Sequence, residues 1–101
     1  MEPTDGVWNG TQTVIDPPQA VLVDLAAVLR PSRVGMRNVP LRVRAGGIDL
    51  LPVQARLHAW HETITQDTFG LVEMTVGNRT GRGALTLLQL VPEAAVRWPD
   101  T

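Results

Sequence analysis

His58, Ala59, Trp60, His61 and Glu62 form the one tract of this chain in which metal-ligating and proton-transferring side chains stand close together. Imidazole nitrogen and carboxylate oxygen can hold zinc, and imidazole is the natural base near neutral pH. The spacing works against both uses. On a strand, His58 and His61 are three apart and point to opposite faces, so only His58 and Glu62 share a side, with Trp60 between them. On a helix all three converge, but not in the order of the zinc proteases. The expected role of the tract is a solvated or interface strand face, with no metal and no cofactor.

The residue types that are missing narrow the chemistry further. The chain has no cysteine, no lysine and no tyrosine. Disulfides, thiolate metal sites, cysteine nucleophiles, Schiff bases and a phosphate-loop lysine are therefore excluded. Ser32 is the one serine, and its surroundings (Pro31, Arg33, Val34, Gly35) do not form the strand-turn-helix elbow of hydrolases. A turn residue is the expected role for it. This inventory points to a non-enzymatic protein.

Arginine offers a different chemistry. Between Asp24 and Asp49 there are five arginines (Arg30, Arg33, Arg37, Arg42, Arg44) and no acid, a local charge of +5. The remainder sets four arginines against all ten acids, a charge of −6, which gives the net −1 of the whole chain. Guanidinium groups pair bidentately with phosphate or carboxylate, so this stretch is a candidate nucleic-acid or phosphate-ligand site. No aromatic residue lies inside it to stack on bases, and the chain as a whole is slightly acidic. Pairing with the acids of the other half, within one chain or between two, is the favoured alternative. Arg33-Val34-Gly35-Met36-Arg37 resembles the Arg-x-x-x-Arg entrance of PilZ domains, small barrels that bind a cyclic dinucleotide. That resemblance covers five residues. The family's second motif, Asp/Asn-x-Ser-x-x-Gly, has no counterpart downstream, where serine does not occur, and the chain is not assigned to the family.

These residues must be held by some scaffold, and the chain reads as one small domain over residues 1–101, with 1–6 as a loose end. Val7 to Ile15 reads as a strand, with a turn or kink at Asn9-Gly10. Asp16-Pro17-Pro18-Gln19 matches a capping box before an apolar run, and Val21, Leu25, Val28 and Leu29 fall on one helical face; this predicts a helix over 17–30. The rival is a strand through Val21 to Leu25 after a Pro-Pro turn. Val39 to Ala45 alternates as a strand that places Arg42 and Arg44 on one face, and Gly46-Gly47 reads as a hairpin turn. Ile48 to Thr65 is the longest extended candidate, with Val53, Ala55, Leu57 and Ala59 on one side and Gln54, Arg56, His58, Trp60 and Glu62 on the other. Gln66 to Gly70 is a turn, Leu71 to Val76 a strand, and Asn78 to Gly83 a second, glycine-rich turn, whose other role would be a backbone nest for an anion. Ala84 to Val91 is nearly continuously apolar and reads as a strand covered on both faces. Val96 to Trp98 reads as a short edge strand or a packed tail. The expected fold is α+β, mainly β: a small antiparallel barrel or sandwich with one helix near residues 17–30.

Charged residues make up 19% of the chain and apolar ones 44%. That is few charges for a domain of this size, whose surface is large relative to its interior. The expectation is that a partner covers part of the surface, and a second copy of the chain is the simplest one. Trp60, His58, Leu85 and Leu87 are the candidate interface residues, since tryptophan anchors interfaces and the two leucines lie in the apolar run. No apolar run approaches the length of a membrane span, and Met1 to Gly6 lacks the basic start of an export signal, so a cytoplasmic location is expected.

Overall fold

The computed structural model describes residues 6–29 and 40–99. Five strands form one antiparallel sheet: β1 (Gln12–Val23), β2 (Val53–Glu62), β3 (Thr68–Gly77), β4 (Ala84–Pro92) and β5 (Val96–Arg97). Their order across the sheet is β4-β3-β2-β1-β5. The sheet curls into a half-barrel. Two short helices, α1 (Leu25–Leu29) and α2 (Leu41–Gly46), and a 3-10 turn at Glu93–Ala95 complete it. The expected α+β, mainly β, barrel-like class is the observed one, and β2-β3-β4 is a meander. Among the described residues no helix is long and apolar enough to cross a membrane.

Two expected elements are different in kind. The helix expected over 17–30 is largely strand: β1 runs through the prolines to Val23, and only Leu25–Leu29 is helical. Tandem prolines explain this, because a residue preceding proline is pushed out of the helical region, and both Asp16 and Pro17 precede one. Val21, Leu22 and Val23 then pair with Ala55, Gln54 and Val53 instead of coiling. The strand expected over Val39 to Ala45 is in the structure the helix α2, which starts after Pro40. Leucine, arginine and alanine are good helix formers, and proline is at home at a helix start. Gly46-Gly47 is accordingly no hairpin turn: Gly46 ends α2, and the Gly47 N–H closes it on the Val43 carbonyl at 2.8 Å. Strand bounds also move. β2 begins at Val53, and the turn expected at Gln66 to Gly70 lies at Thr63–Asp67, where the Thr63 N–H donates to the Asp67 carbonyl at 2.8 Å and Gln66 takes φ 69°.

One face of the sheet is the core. Directly opposed residues of an antiparallel pair share a face, which makes Val21, Ala55, Met74 and Leu87 one row across four strands. Leu57 and Val72 form the next row with Gln19 and Gln89. Val23, Leu25, Val76 and Val91 join the same buried cluster, with Val28 of α1 and Leu50 packed against it. This inner face matches the alternation of Val53, Ala55 and Leu57 in the sequence.

The alternation breaks at His58. Leu57 opposes Val72 and Ala59 opposes Leu71, so His58 is an extra residue in β2, and on the β1 side it faces Ile15, Asp16, Pro17 and Pro18, which interrupt the ladder between Val14 and Gln19. Prolines cannot donate to a ladder, so they collect where it is already broken. A bulge shifts the side-chain phase by one residue, and Trp60 passes to the inner face beside Leu57. There it lies over Gly70: a Cβ on Gly70 would meet Leu57 Cδ1 at 2.9 Å and the Trp60 ring at 3.1 Å. Gly70→Ala is therefore expected to destabilise the fold by about 1–3 kcal/mol, the usual range for overpacking. Urea denaturation followed by tryptophan fluorescence measures it, and an unchanged midpoint would contradict the close approach.

Candidate assembly surface

Among the described residues, those singled out in the sequence do not converge into a reactive site. The bulge places both histidines on the outer face, where three-residue spacing on a regular strand would have separated them. Their partners differ. His58 Nε2 lies 3.1 Å from Glu73 Oε1, whereas the His61 ring meets Trp8 edge-to-face with centroids 4.7 Å apart. Glu62 opposes Thr68, on the side of the sheet that also holds Trp60. Among the described residues no three histidine, aspartate or glutamate side chains are grouped to hold a metal ion.

The His58–Glu73 contact is an ion pair or a hydrogen bond according to the charge of the imidazole, and Glu73 is exposed in it. Such pairs contribute little, because solvent screens them and two side chains must be ordered. Glu73→Gln is expected to change the unfolding free energy by less than about 1 kcal/mol. Chemical denaturation of both proteins tests this, and a larger loss would mean that the carboxylate anchors the bulge.

The arginines are not brought together among the described residues. Arg30, Arg33 and Arg37, with Ser32, lie outside them, and so does the five-residue PilZ-like motif. Arg42 is exposed on α2, and Arg44 is on the same helix, so the shared strand face expected for the two does not exist. The glycine-rich loop at Asn78 to Gly83 is a hairpin braced by its own hydrogen bonds. Asn78 Oδ1 accepts from the Gly83 N–H at 3.1 Å and from Thr80 Oγ1 at 2.8 Å, and Gly81 takes a φ of 75°. A shallow groove of about 610 Å³ on the outer face is lined by Ala20, Leu22, Gln54, Arg56, Glu73 and Thr75 among others, a mixed surface with no buried polar group aimed into it.

The candidate interface residues divide. Trp60 is half-buried against the core, because the bulge turned it inward, and His58 is held by Glu73. Leu87 is partly buried on the inner face, while Leu85, one row on, is 54% exposed. On the outer face of the same strand Leu88 and Leu90 are 41% and 52% exposed. The sequence reading of Ala84 to Val91 missed both of these outer leucines as candidates. It took the run as covered on both faces, and among the described residues it is not. The reason is the sheet order: β4 is the last strand on its side, so nothing among the described residues flanks it.

The two sides of the sheet are finished differently. Beyond β1, β5 pairs only with Leu22 and Val23, and the rest of β1 is broken by Asp16, Pro17 and Pro18. Proline, charge and irregularity are the devices that keep an edge from recruiting another strand. β4 has none of them over its nine residues except the terminal Pro92: Ala84-Leu85-Thr86-Leu87-Leu88-Gln89-Leu90-Val91-Pro92 carries no charge and pairs with β3 in unbroken register from Gly77↔Ala84 to Phe69↔Pro92. Compared with protein-family models, with curated proteins and with solved structures, the chain matches none.

Proposed function

We propose that this chain is a non-enzymatic assembly module that self-associates, or docks a protein strand, through the apolar edge and faces of β4. The observation that carries this reading is the uncharged, regular, nine-residue strand at the end of the sheet with Leu85, Leu88 and Leu90 exposed. Unpaired N–H and C=O groups along an edge are a template for another strand, and a long, regular, apolar edge left uncovered leads to aggregation. A partner that adds a strand satisfies the backbone and buries the leucines together, which is the β-augmentation mode of recognition. The separate partners of His58 and His61 agree with a role that needs no reactive group. The cytoplasmic setting expected from the sequence belongs to the same proposal.

Light scattering coupled to size exclusion tests it. The expected result is a mass above the 11.0 kDa of one chain that falls on dilution. A constant single-chain mass, with fast deuterium exchange at the outward β4 amides of Thr86, Leu88 and Leu90, would overturn the reading.

A further inference from the structure

The backbone of β4 has a definite polarity of free groups. The Asn78 N–H bonds the Gly83 carbonyl, and the Gly77 carbonyl accepts from Asp49, away from β4. Hydrogen-bonded and non-hydrogen-bonded pairs alternate along an antiparallel ladder. Starting from that bond, and with the register of β3 and β4 unbroken, Leu85, Leu87, Gln89 and Val91 turn their backbone groups toward β3. Ala84, Thr86, Leu88 and Leu90 turn theirs outward. Pro92, next in the outward series, has no N–H to offer.

Resting on the assembly reading above, we infer that the occupant of this edge is β4 of a second copy, antiparallel, with the two-fold axis passing between Leu87 and its counterpart. Outward residues must meet outward residues, so a symmetric pairing centres on Thr86, Leu87 or Leu88. Centring on Thr86 carries the ladder into the loop at Arg82, and centring on Leu88 sets Ala84 against Pro92, which lacks the donor. Centring on Leu87 pairs Ala84 with Leu90 and Thr86 with Leu88 in both directions, and all four outward residues exchange both of their bonds. On the inner face the partly buried Leu87 meets its copy, and Leu85 meets Gln89. On the outer face Leu88 and Leu90 meet Thr86 and Ala84 across the axis. No charge faces a like charge, because β4 carries none. An isologous interface requires a surface that complements itself, and this strand does so in one register. The result is a continuous sheet of two five-stranded halves.

The absence of native cysteine makes the register directly testable by disulfide trapping in the full chain. Facing non-hydrogen-bonded residues have Cα atoms about 4.5 Å apart, inside the range a disulfide spans. Leu87→Cys is expected to oxidise to a covalent dimer, with the band at twice 11.0 kDa. Leu85→Cys is expected to remain single, because its two copies lie ~14 Å apart along the strands. Random collision would give the opposite order, since Leu85 is the more exposed of the two. Should Leu87→Cys fail to fold, an equal mixture of Thr86→Cys and Leu88→Cys replaces it, both positions being exposed. The mixed dimer then forms in preference to either like pair. Trapping in these patterns supports the inference. A dimer by light scattering that traps at Leu85→Cys, or at neither position, overturns the register while the assembly reading stands. A protein that is a monomer throughout and traps nowhere overturns both.

Discussion

Leu57→Ala is expected to lower the free energy of unfolding by about 2–5 kcal/mol, the range for truncating a fully buried leucine. Leu57 has no exposed surface. It sits on the inner face between Gln19 and Val72, immediately before the bulge, and its Cδ1 lies so close to Gly70 that a Cβ there would clash with it. The loss has two parts: the transfer free energy of the removed carbons and the void they leave. Collapse into that void is restricted here. Gly70 has no side chain to move, β1 and β3 are held by their ladders on either side, and the Trp60 ring is already placed over the glycine. The effect therefore belongs in the upper half of the range. A domain of this size has roughly 5–15 kcal/mol in total, so the variant keeps its fold but melts far lower, by about 4–8 °C per kcal/mol. Urea denaturation with an unchanged m-value gives the number directly. A loss below about 1 kcal/mol would mean that the inner face under the bulge is loosely packed.

How much of this was legible in the sequence depends on how local each determinant is. The alternation of Val53, Ala55 and Leu57 identifies a half-buried strand because a period of two is imposed by the backbone itself. Asn9-Gly10 and Asn78 to Gly83 read correctly as turns for a similarly local reason: Asn9, Gly10 and Gly81 take positive φ. The prolines misled, because Asp16-Pro17-Pro18-Gln19 satisfies a helix-start pattern and a strand-bulge pattern equally, and the choice is made by Val21 to Val23 finding Ala55 to Val53 across the sheet. Nothing local distinguishes the two. His58 is a stronger case. Its extra place in β2 exists because four residues of β1 around the prolines face it, so the inward turn of Trp60 is set by residues some forty positions earlier. The alternation of Val39 to Ala45 was genuine as a pattern but had no partner strand, and a short segment rich in helix formers that follows a proline coiled instead.

The same distinction explains the candidate site. Leu85 and Leu87 were recognisable as members of an apolar run. That the run lies at the edge is a property of the sheet order, in which β1 inserts between β2 and β5 and leaves β4 terminal. An apolar run inside a sheet is core, and the identical run at its end is an exposed edge. Composition carried the hint, since 19% charge is low for a domain that must cover its own surface. Sheet order locates where that surface lies.

Replacing Leu88 and Leu90 together by lysine is expected to abolish self-association while leaving the fold of the single chain intact. Both side chains are on the outer face and about half exposed, and neither belongs to the buried cluster. Surface substitutions of this kind usually alter stability by no more than about 0.5 kcal/mol each. The interface is affected far more. Across the two-fold axis the two lysines at position 88 become diagonal neighbours, and every added ammonium must give up hydration that is costly to lose, where burying leucine is favourable. Like charges set against each other at an interface cost several kcal/mol, and every 1.4 kcal/mol is a factor of ten in affinity. The dissociation constant should therefore rise by roughly a hundredfold or more. Sedimentation velocity over a dilution series measures it, with circular dichroism melting as the check on the fold. Leu51→Lys, at a 65% exposed leucine outside β4, controls for the general solubilising effect of added charge and should leave assembly unchanged. Assembly of the double variant as tight as that of the parent would show that the contact lies elsewhere on the molecule. Loss of assembly in the Leu51→Lys control as well would trace the effect to net charge and not to this edge.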